Sequence, residues 1–420
     1  MGISLPFARK NNFILLLMSY TFLFFLVAKA VLSFVGTSTE GTLVLPNSLS
    51  EKKEGSDMAI PFTYDNKTIS FRAVVNGRHE GEFIFDSGLT TYYNLFSDTF
   101  CRKELALPVT SSKHKMFGIG VDHQVNVSKA KVSIKVGGYA AEGYYGMLKF
   151  SSADRARYDG LFNVHIFKDS IVEFNFDKKQ IIFHHEFSGS GYQKIRIIQR
   201  GFVRMIAVKA SLDNGFEVSG NFLLDTGYWG LIALYCNNRT IDSLRKVYRV
   251  NKILGVSNFG KEIDFYRMEC NQASIGGAKL LNPTMVVSNT SLPQEAKGIV
   301  QGLVGVEFFK MFSPVVDFKN NIMYLKIQSV VMQRNMHEMG VHLFVAKKGI
   351  VVKHVIENSE AYNRGLRPND RVISVNGISV DNLSEQSLIS MMDRLYKTRG
   401  TVELIYLRGN KRMKSVLICH

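Results

Sequence analysis

Apolar residues in this chain fall mostly in short runs of strand length, each closed by turn residues. Phe83-Ile84-Phe85 runs straight into Asp86-Ser87-Gly88, and Phe222-Leu223-Leu224 into Asp225-Thr226-Gly227. Ile171 to Phe176, the turn Asp177-Lys178-Lys179 and Gln180 to His184 read as strand, turn, strand. Pro314 to Phe318, Lys319-Asn320-Asn321 and Ile322 to Leu325 repeat that pattern. Helical spacing stands out in Ser384 to Leu395, where Leu388, Ile389, Met392 and Leu395 recur on one face. The pattern predicts a mainly β chain that ends in an α+β module.

The two strand–Asp motifs lie 139 residues apart. A carboxylate at the end of an apolar strand is costly to bury unless it is hydrogen-bonded or paired. A chain that does this twice is most simply explained if the two acids face each other. A second correspondence supports the repeat. Gly160, in Asp159-Gly160-Leu161-Phe162-Asn163-Val164-His165-Ile166-Phe167-Lys168, lies 74 residues beyond Asp86. Gly302, in Gln301-Gly302-Leu303-Val304-Gly305-Val306-Glu307-Phe308-Phe309-Lys310, lies 77 beyond Asp225. Two carboxylates in one site cannot both ionise easily, so the pair holds an acid and a base together.

Over roughly residues 58–327 these motifs resemble the pepsin-like and retropepsin-like aspartic peptidases. The resemblance implies a two-lobed aspartic-peptidase β-barrel fold, lobe 1 over 58–195 and lobe 2 over 196–327. It implies Asp86 and Asp225 as the catalytic dyad of an endopeptidase that cleaves peptide or protein substrates with an activated water. Ser87 and Thr226 would hydrogen-bond across the interface, and Gly88 and Gly227 would permit close backbone approach. Gly160-Leu161-Phe162 and Gly302-Leu303-Val304 would brace the two loops from behind. No metal and no cofactor is implied. Three departures stand out: Leu89 and Tyr228 where small residues are common, and Asn163 where the second copy has Gly305. Phe117-Gly118-Ile119-Gly120 is hairpin-like at the place of a flap but lacks an aromatic hydroxyl. The departures motivate a rival reading, a non-catalytic peptide-binding protein that keeps the cleft without turnover.

Beyond Leu325 the pattern changes. Val341 to Val345, Gly349 to Val352, Val355 to Ala361, Arg364-Gly365-Leu366-Arg367-Pro368-Asn369-Asp370 and Val375-Asn376-Gly377 follow in order. This resembles a bacterial-type PDZ domain over about 330–420. The resemblance implies capture of a partner's C-terminal peptide as an added strand along Val341 to Val345, with its carboxylate at Met339-Gly340-Val341. Ser384 to Leu395 would form the other groove wall, its apolar positions also serving the core.

At the start, Arg9 and Lys10 precede the 15-residue apolar run Phe13 to Val27, and Ala28-Lys29-Ala30 fits a small-x-small cleavage pattern. Residues 1–30 are thus expected to be a signal peptide, or a membrane anchor if the run continues to Val35. A polar linker over 31–57 is expected next. Either reading places the rest outside the cytoplasm, in the periplasm or cell envelope, with membrane association possible through the N-terminus. Thirty Phe and 17 Tyr suit well-filled β cores, and 420 residues suffice for three modules. Lys and Arg number 52 against 36 Asp and Glu, a net charge of +16. The basic residues are scattered, which reads as a solvated surface and not as a nucleic-acid site. Four cysteines lack C-x-x-C spacing; Cys236 with Cys270 is the best disulfide candidate, with buried thiols the alternative. His184-His185 has no third metal ligand at useful spacing.

Overall fold

The computed structural model describes residues 58–419, apart from 66, 90, 92, 107, 119–120, 150–156, 202, 212–215, 256, 259–260, 263, 290–297, 327–330, 333–338, 347–348 and 396–399. The expected export segment, the expected polar linker and Ile119-Gly120 of the expected flap therefore lie outside the described residues.

The chain is mainly β, as expected, and its two halves repeat strand for strand. In the first, Thr68–Val75 pairs antiparallel with His79–Asp86, which runs parallel to Gly160–Asn163. Gly160–Asn163 pairs antiparallel with Asn94–Ser97, which in turn lies parallel to Tyr145–Leu148. The second half follows the same path. Val203–Ser211 pairs with Glu217–Asp225, which runs parallel to Gly302–Gly305. Gly302–Gly305 then pairs with Ile232–Tyr235, beside the parallel strand Thr284–Ser288. Gly160–Asn163 and Gly302–Gly305 are buried along their whole length, which is why their central residues, Leu161-Phe162 and Leu303-Val304, are apolar on both faces.

The halves meet in a six-stranded sheet. Met58–Pro61, Gln180–His184 and Ile171–Asn175 form one side; Val315–Asp317, Ile322–Leu325 and Gln193–Arg196 form the other. The seam is the antiparallel pairing of Ile171–Glu173 with Val315–Asp317. Alternation explains these strands: Ile171–Asn175 buries Val172 and Phe174 and turns the residues between them outward. Phe174 meets Phe309 of the second half edge-on, ring centroids 5.0 Å apart, so one core is continuous through both halves. Gln193–Arg196 straddles the expected division at 195/196 and pairs with Ile322–Leu325, in the second half.

The C-terminal module has its own core, including Leu343, Ile350, Val352, Leu388, Leu404 and Tyr406. Its strands include Val341–Ala346, Gly349–Ile356, Arg371–Val375, Gly400–Arg408 and Lys411–Cys419, with helices Glu360–Asn363 and Glu385–Leu395. The turn between Val375 and Ile378 is Asn376-Gly377, both at positive φ, as the Asn-Gly pair predicts. The module docks by sheet extension: Leu254 and Ile253 of the second half pair with Val355 and Ile356.

Candidate active site at the junction of the two halves

Asp86 and Asp225 are the last residues of their strands, each set by a parallel neighbour, Asn163 beside Asp86 and Gly305 beside Asp225. The two following hydroxyls interlock across the junction. Ser87 Oγ donates to the Leu224 carbonyl (2.9 Å) and accepts from the Thr226 N–H (3.0 Å). Thr226 Oγ1 donates to the Phe85 carbonyl (2.9 Å) and accepts from the Ser87 N–H (3.0 Å). Both hydroxyls are buried, so each bond is made where an unpaired group would be expensive.

The interlock sets each carboxylate against the loop of the other half. A Cβ on Gly88 would stand 2.4 Å from the Asp225 carboxyl carbon, and one on Gly227 2.6 Å from that of Asp86. Each acid thus lies against the other half's glycine. The Asp86 carboxylate accepts from the Gly88 N–H (3.0 Å), and Asp225 from Gly227 (2.9 Å) and Tyr228 (3.1 Å). These N–H groups orient the carboxylates and offset the cost of burying charge. The brace segments lie where expected, and their first glycines have no room for a side chain: a Cβ on Gly160 would meet the Leu95 carbonyl at 2.2 Å, one on Gly302 the Ala233 carbonyl at 1.9 Å.

The departures have local explanations. Leu89 packs in an apolar cluster with Ile84, Leu95 and Leu161, and Tyr228 packs in the corresponding cluster of the second half. Asn163 uses its side chain to hold its own loop. Its Oδ1 accepts from the His165 N–H, and its Nδ2 donates to the Thr91 carbonyl. Phe117 and Gly118 fall in Val109–Gly118, which forms a hairpin with Val121–Ser128, so the hairpin expectation holds.

Around Asp225 the surroundings are aromatic. Burial first, and the Asp225 charge second, push the phenols of Tyr228 and Tyr235 well above their ordinary range, so both stay neutral donors. Trp229 then meets two buried imidazoles of the C-terminal module, His354 at 5.3 Å and His342 at 6.1 Å between ring centroids. The two histidines face each other, Nδ1 to Nδ1, at 3.4 Å. On its other flank Lys67 Nζ lies 5.6 Å from the Trp229 ring and 3.6 Å from Glu307, which also accepts from the Tyr64 hydroxyl (3.1 Å). The motifs give no sign of this layer. The sole tryptophan of the chain, beside one acid motif, was the one available hint.

In the C-terminal module, Met339 and Val341 are buried and Gly340 has φ +71°. The Gly340 carbonyl accepts from the Ile356 N–H (2.8 Å), and the Met339 carbonyl from Ala361 (3.0 Å). A Cβ on Gly340 would fall 2.0 Å from Ser359 Cβ, which fixes glycine there. Leu388, Met392 and Leu395 are buried in the module's core, with Ile389 packed against it. Asp370 of the Gly-Leu-x-x-x-Asp motif accepts two 2.8 Å bonds from the Arg408 guanidinium and one from the Arg367 N–H.

The disulfide candidate is corrected. Cys236 and Cys270 are free thiols, and burial pushes them up to about 11 and about 12; Cys101 likewise lies at about 12. Among the described residues no three potential metal ligands converge. His184 instead pairs with Glu173 at 2.9 Å.

No curated protein matches the chain in sequence. Among solved structures the chain resembles an aspartic proteinase from Irpex lacteus, with 11% identity and a TM-score of 0.42. That alignment covers 65% of this chain and 98% of the other. Residues 328–406 match the family model of the PDZ domain, a module that binds the C-terminal peptides of partners, and the C-terminal module is therefore a PDZ domain.

Proposed function

We propose that the chain is an aspartic endopeptidase in which Asp86 and Asp225 share a proton and hold one water between them. The observation that supports this most is the reciprocal packing of each carboxyl on the other half's glycine, held by the Ser87–Thr226 interlock. The ionised member takes a proton from the water as it attacks the substrate carbonyl. The protonated member donates to the carbonyl oxygen and stabilises the charge that develops there. Water is the nucleophile, so no side chain forms a covalent intermediate. Leu89, Tyr228 and Asn163, which motivated a non-catalytic reading, pack into their own lobes and leave that reading little support.

The PDZ domain supports peptide recognition, and in this account it holds the C-terminus of a substrate or partner near the cleft. The apolar run and Ala28-Lys29-Ala30 favour an exported protein of the periplasm or cell envelope, cleaved after Ala30 or retained by its N-terminus. Digestion of denatured casein by the full chain, with a statine-type inhibitor or with a chelator, tests the reaction class. Inhibition by the statine alone is expected. Inhibition by the chelator alone overturns the assignment, and casein retained but not cut favours a binding protein.

A further inference from the structure

The PDZ strand Val341–Ala346 has two sides. On one it pairs with Gly349–Ile356, Leu343 opposite Val352 and Val345 opposite Ile350. Val352 turns both its backbone groups the other way: its N–H donates to the Asp370 carbonyl and its carbonyl accepts from Asn369 (both 2.8 Å). Antiparallel pairs alternate between bonded and non-bonded rungs, so Leu343, opposite Val352, is on a non-bonded rung. Val345, two residues on, is on the next one. Its carbonyl therefore points to the strand's outer side, where a captured peptide adds.

A residue of the first lobe already reaches that carbonyl. Arg157 Nη1 donates to Val345 O at 3.4 Å. The Arg157 side chain is 5% exposed and is held from behind by Asp65, whose carboxylate is 2.8 Å from Nη2 and itself 1% exposed. Glu82 lies 3.8 Å from the same nitrogen, and the guanidinium rests over the Tyr158 ring. The bond to Val345 is long, but the planar group stands where the backbone N–H of an added strand would have to come. Its tight pairing with Asp65 does not depend on Val345.

We infer that Arg157 competes internally for the outer part of the PDZ groove. A peptide that extends along the strand as far as Val345 must displace the Arg157–Val345 contact, and in doing so releases a hold of the first lobe on the PDZ domain. A peptide whose carboxylate sits at Met339-Gly340-Val341 pairs first at Leu343 and reaches Val345 only with later residues. Ligand length therefore decides whether the contact breaks. A tripeptide ends short of Val345, whereas an octapeptide runs past it. This rests on the PDZ assignment and not on the peptidase reading, so the two can fail separately.

The test uses the full chain and two unlabelled peptides with free carboxylates, Val-Val-Val and Gly-Ser-Gly-Thr-Tyr-Val-Val-Val. Titration calorimetry compares their affinities in the natural protein and in Arg157→Met combined with Asp65→Asn, which removes the buried pair together. The expected result is octapeptide binding at least fivefold tighter in the double variant, with tripeptide binding unchanged within twofold. As a readout that needs no variant, hydrogen exchange on the natural protein should show the segment around Asp159 exchanging faster with the octapeptide only. Equal effects on both peptides, no effect on either, or no binding of the octapeptide to either protein overturns the inference.

Discussion

The carboxyl of Asp225 occupies the space that a side chain on Gly88 would need: the two are 2.4 Å apart when a Cβ is built on the glycine. The mirror relation holds between Asp86 and Gly227 at 2.6 Å. Both distances are far below any carbon–carbon contact, and the obstructing atoms belong to the groups proposed to do the chemistry. Gly88→Ala and Gly227→Ala should each lower kcat by at least about a hundredfold, since a displacement of about 1 Å can cost that much. Each should also pull the Ser87–Thr226 interlock apart. Casein digestion together with thermal denaturation checks both effects, and Ala at either site with full turnover would mean that the acids need not meet.

Asp370, inside the residues that match the family model, and Arg408, just beyond them, give the PDZ domain an internal staple. The carboxylate is 1% exposed and the guanidinium side chain 42% exposed. Arg408→Met leaves the buried carboxylate short of its partner. A fully buried pair would lose about 3–5 kcal/mol, and partial exposure of the arginine brings the expected loss to about 2–3 kcal/mol. Denaturant unfolding of the natural and variant chains measures it. Casein turnover by the still-folded fraction should not change.

His165 sets a pH dependence of stability. Burial, then the neighbouring Arg204 and Lys168 charges, hold its imidazole down at about 4, against about 6.5 in an unfolded chain. The unfolded state therefore binds more protons between these values. The contribution of this residue is fully present above pH 6.5 and is lost as pH falls towards 4, with a slope below about 1.4 kcal/mol per pH unit because the ring is partly exposed. In His165→Asn the loss of stability between pH 6.5 and 4 should be visibly shallower. Chemical denaturation across that range is the measurement.

Cys101, Cys236 and Cys270 are free, with thiols held protonated by burial. Iodoacetamide at pH 8 should label them slowly in the folded protein and rapidly after denaturation. Mobility on a denaturing gel should be the same with and without reductant. A mass shift on reduction would restore the Cys236–Cys270 pairing that the spacing allowed.

The duplicated Asp motifs and the glycine braces were legible because each is a short, local pattern with a strict physical cause. A Cβ at Gly160 or Gly302 would meet a backbone carbonyl at about 2 Å, so only glycine fits. The PDZ turns were legible for the same reason, since Asn376-Gly377 states its own backbone conformation. What lay hidden was long-range. Nothing in a sequence places Arg157 against Val345, or His342 and His354 against Trp229, because those contacts depend on how a module docks. Gln193–Arg196 lies between the halves in sequence but pairs with Ile322–Leu325 of the second, a long-range register that no local pattern announces. The departures at Leu89, Tyr228 and Asn163 looked like damage in the motif and are packing choices within each lobe.

Replacing each acid by its isosteric amide tests directly whether Asp86 and Asp225 act as a pair. Asp86→Asn, Asp225→Asn and the double variant should fold like the natural protein, since the Ser87–Thr226 interlock does not use the carboxylates. Casein turnover should fall by about a thousandfold or more in each single variant, and the double should be no worse, because the two act as one unit. Either single variant, folded and turning over at the natural rate, would contradict the account.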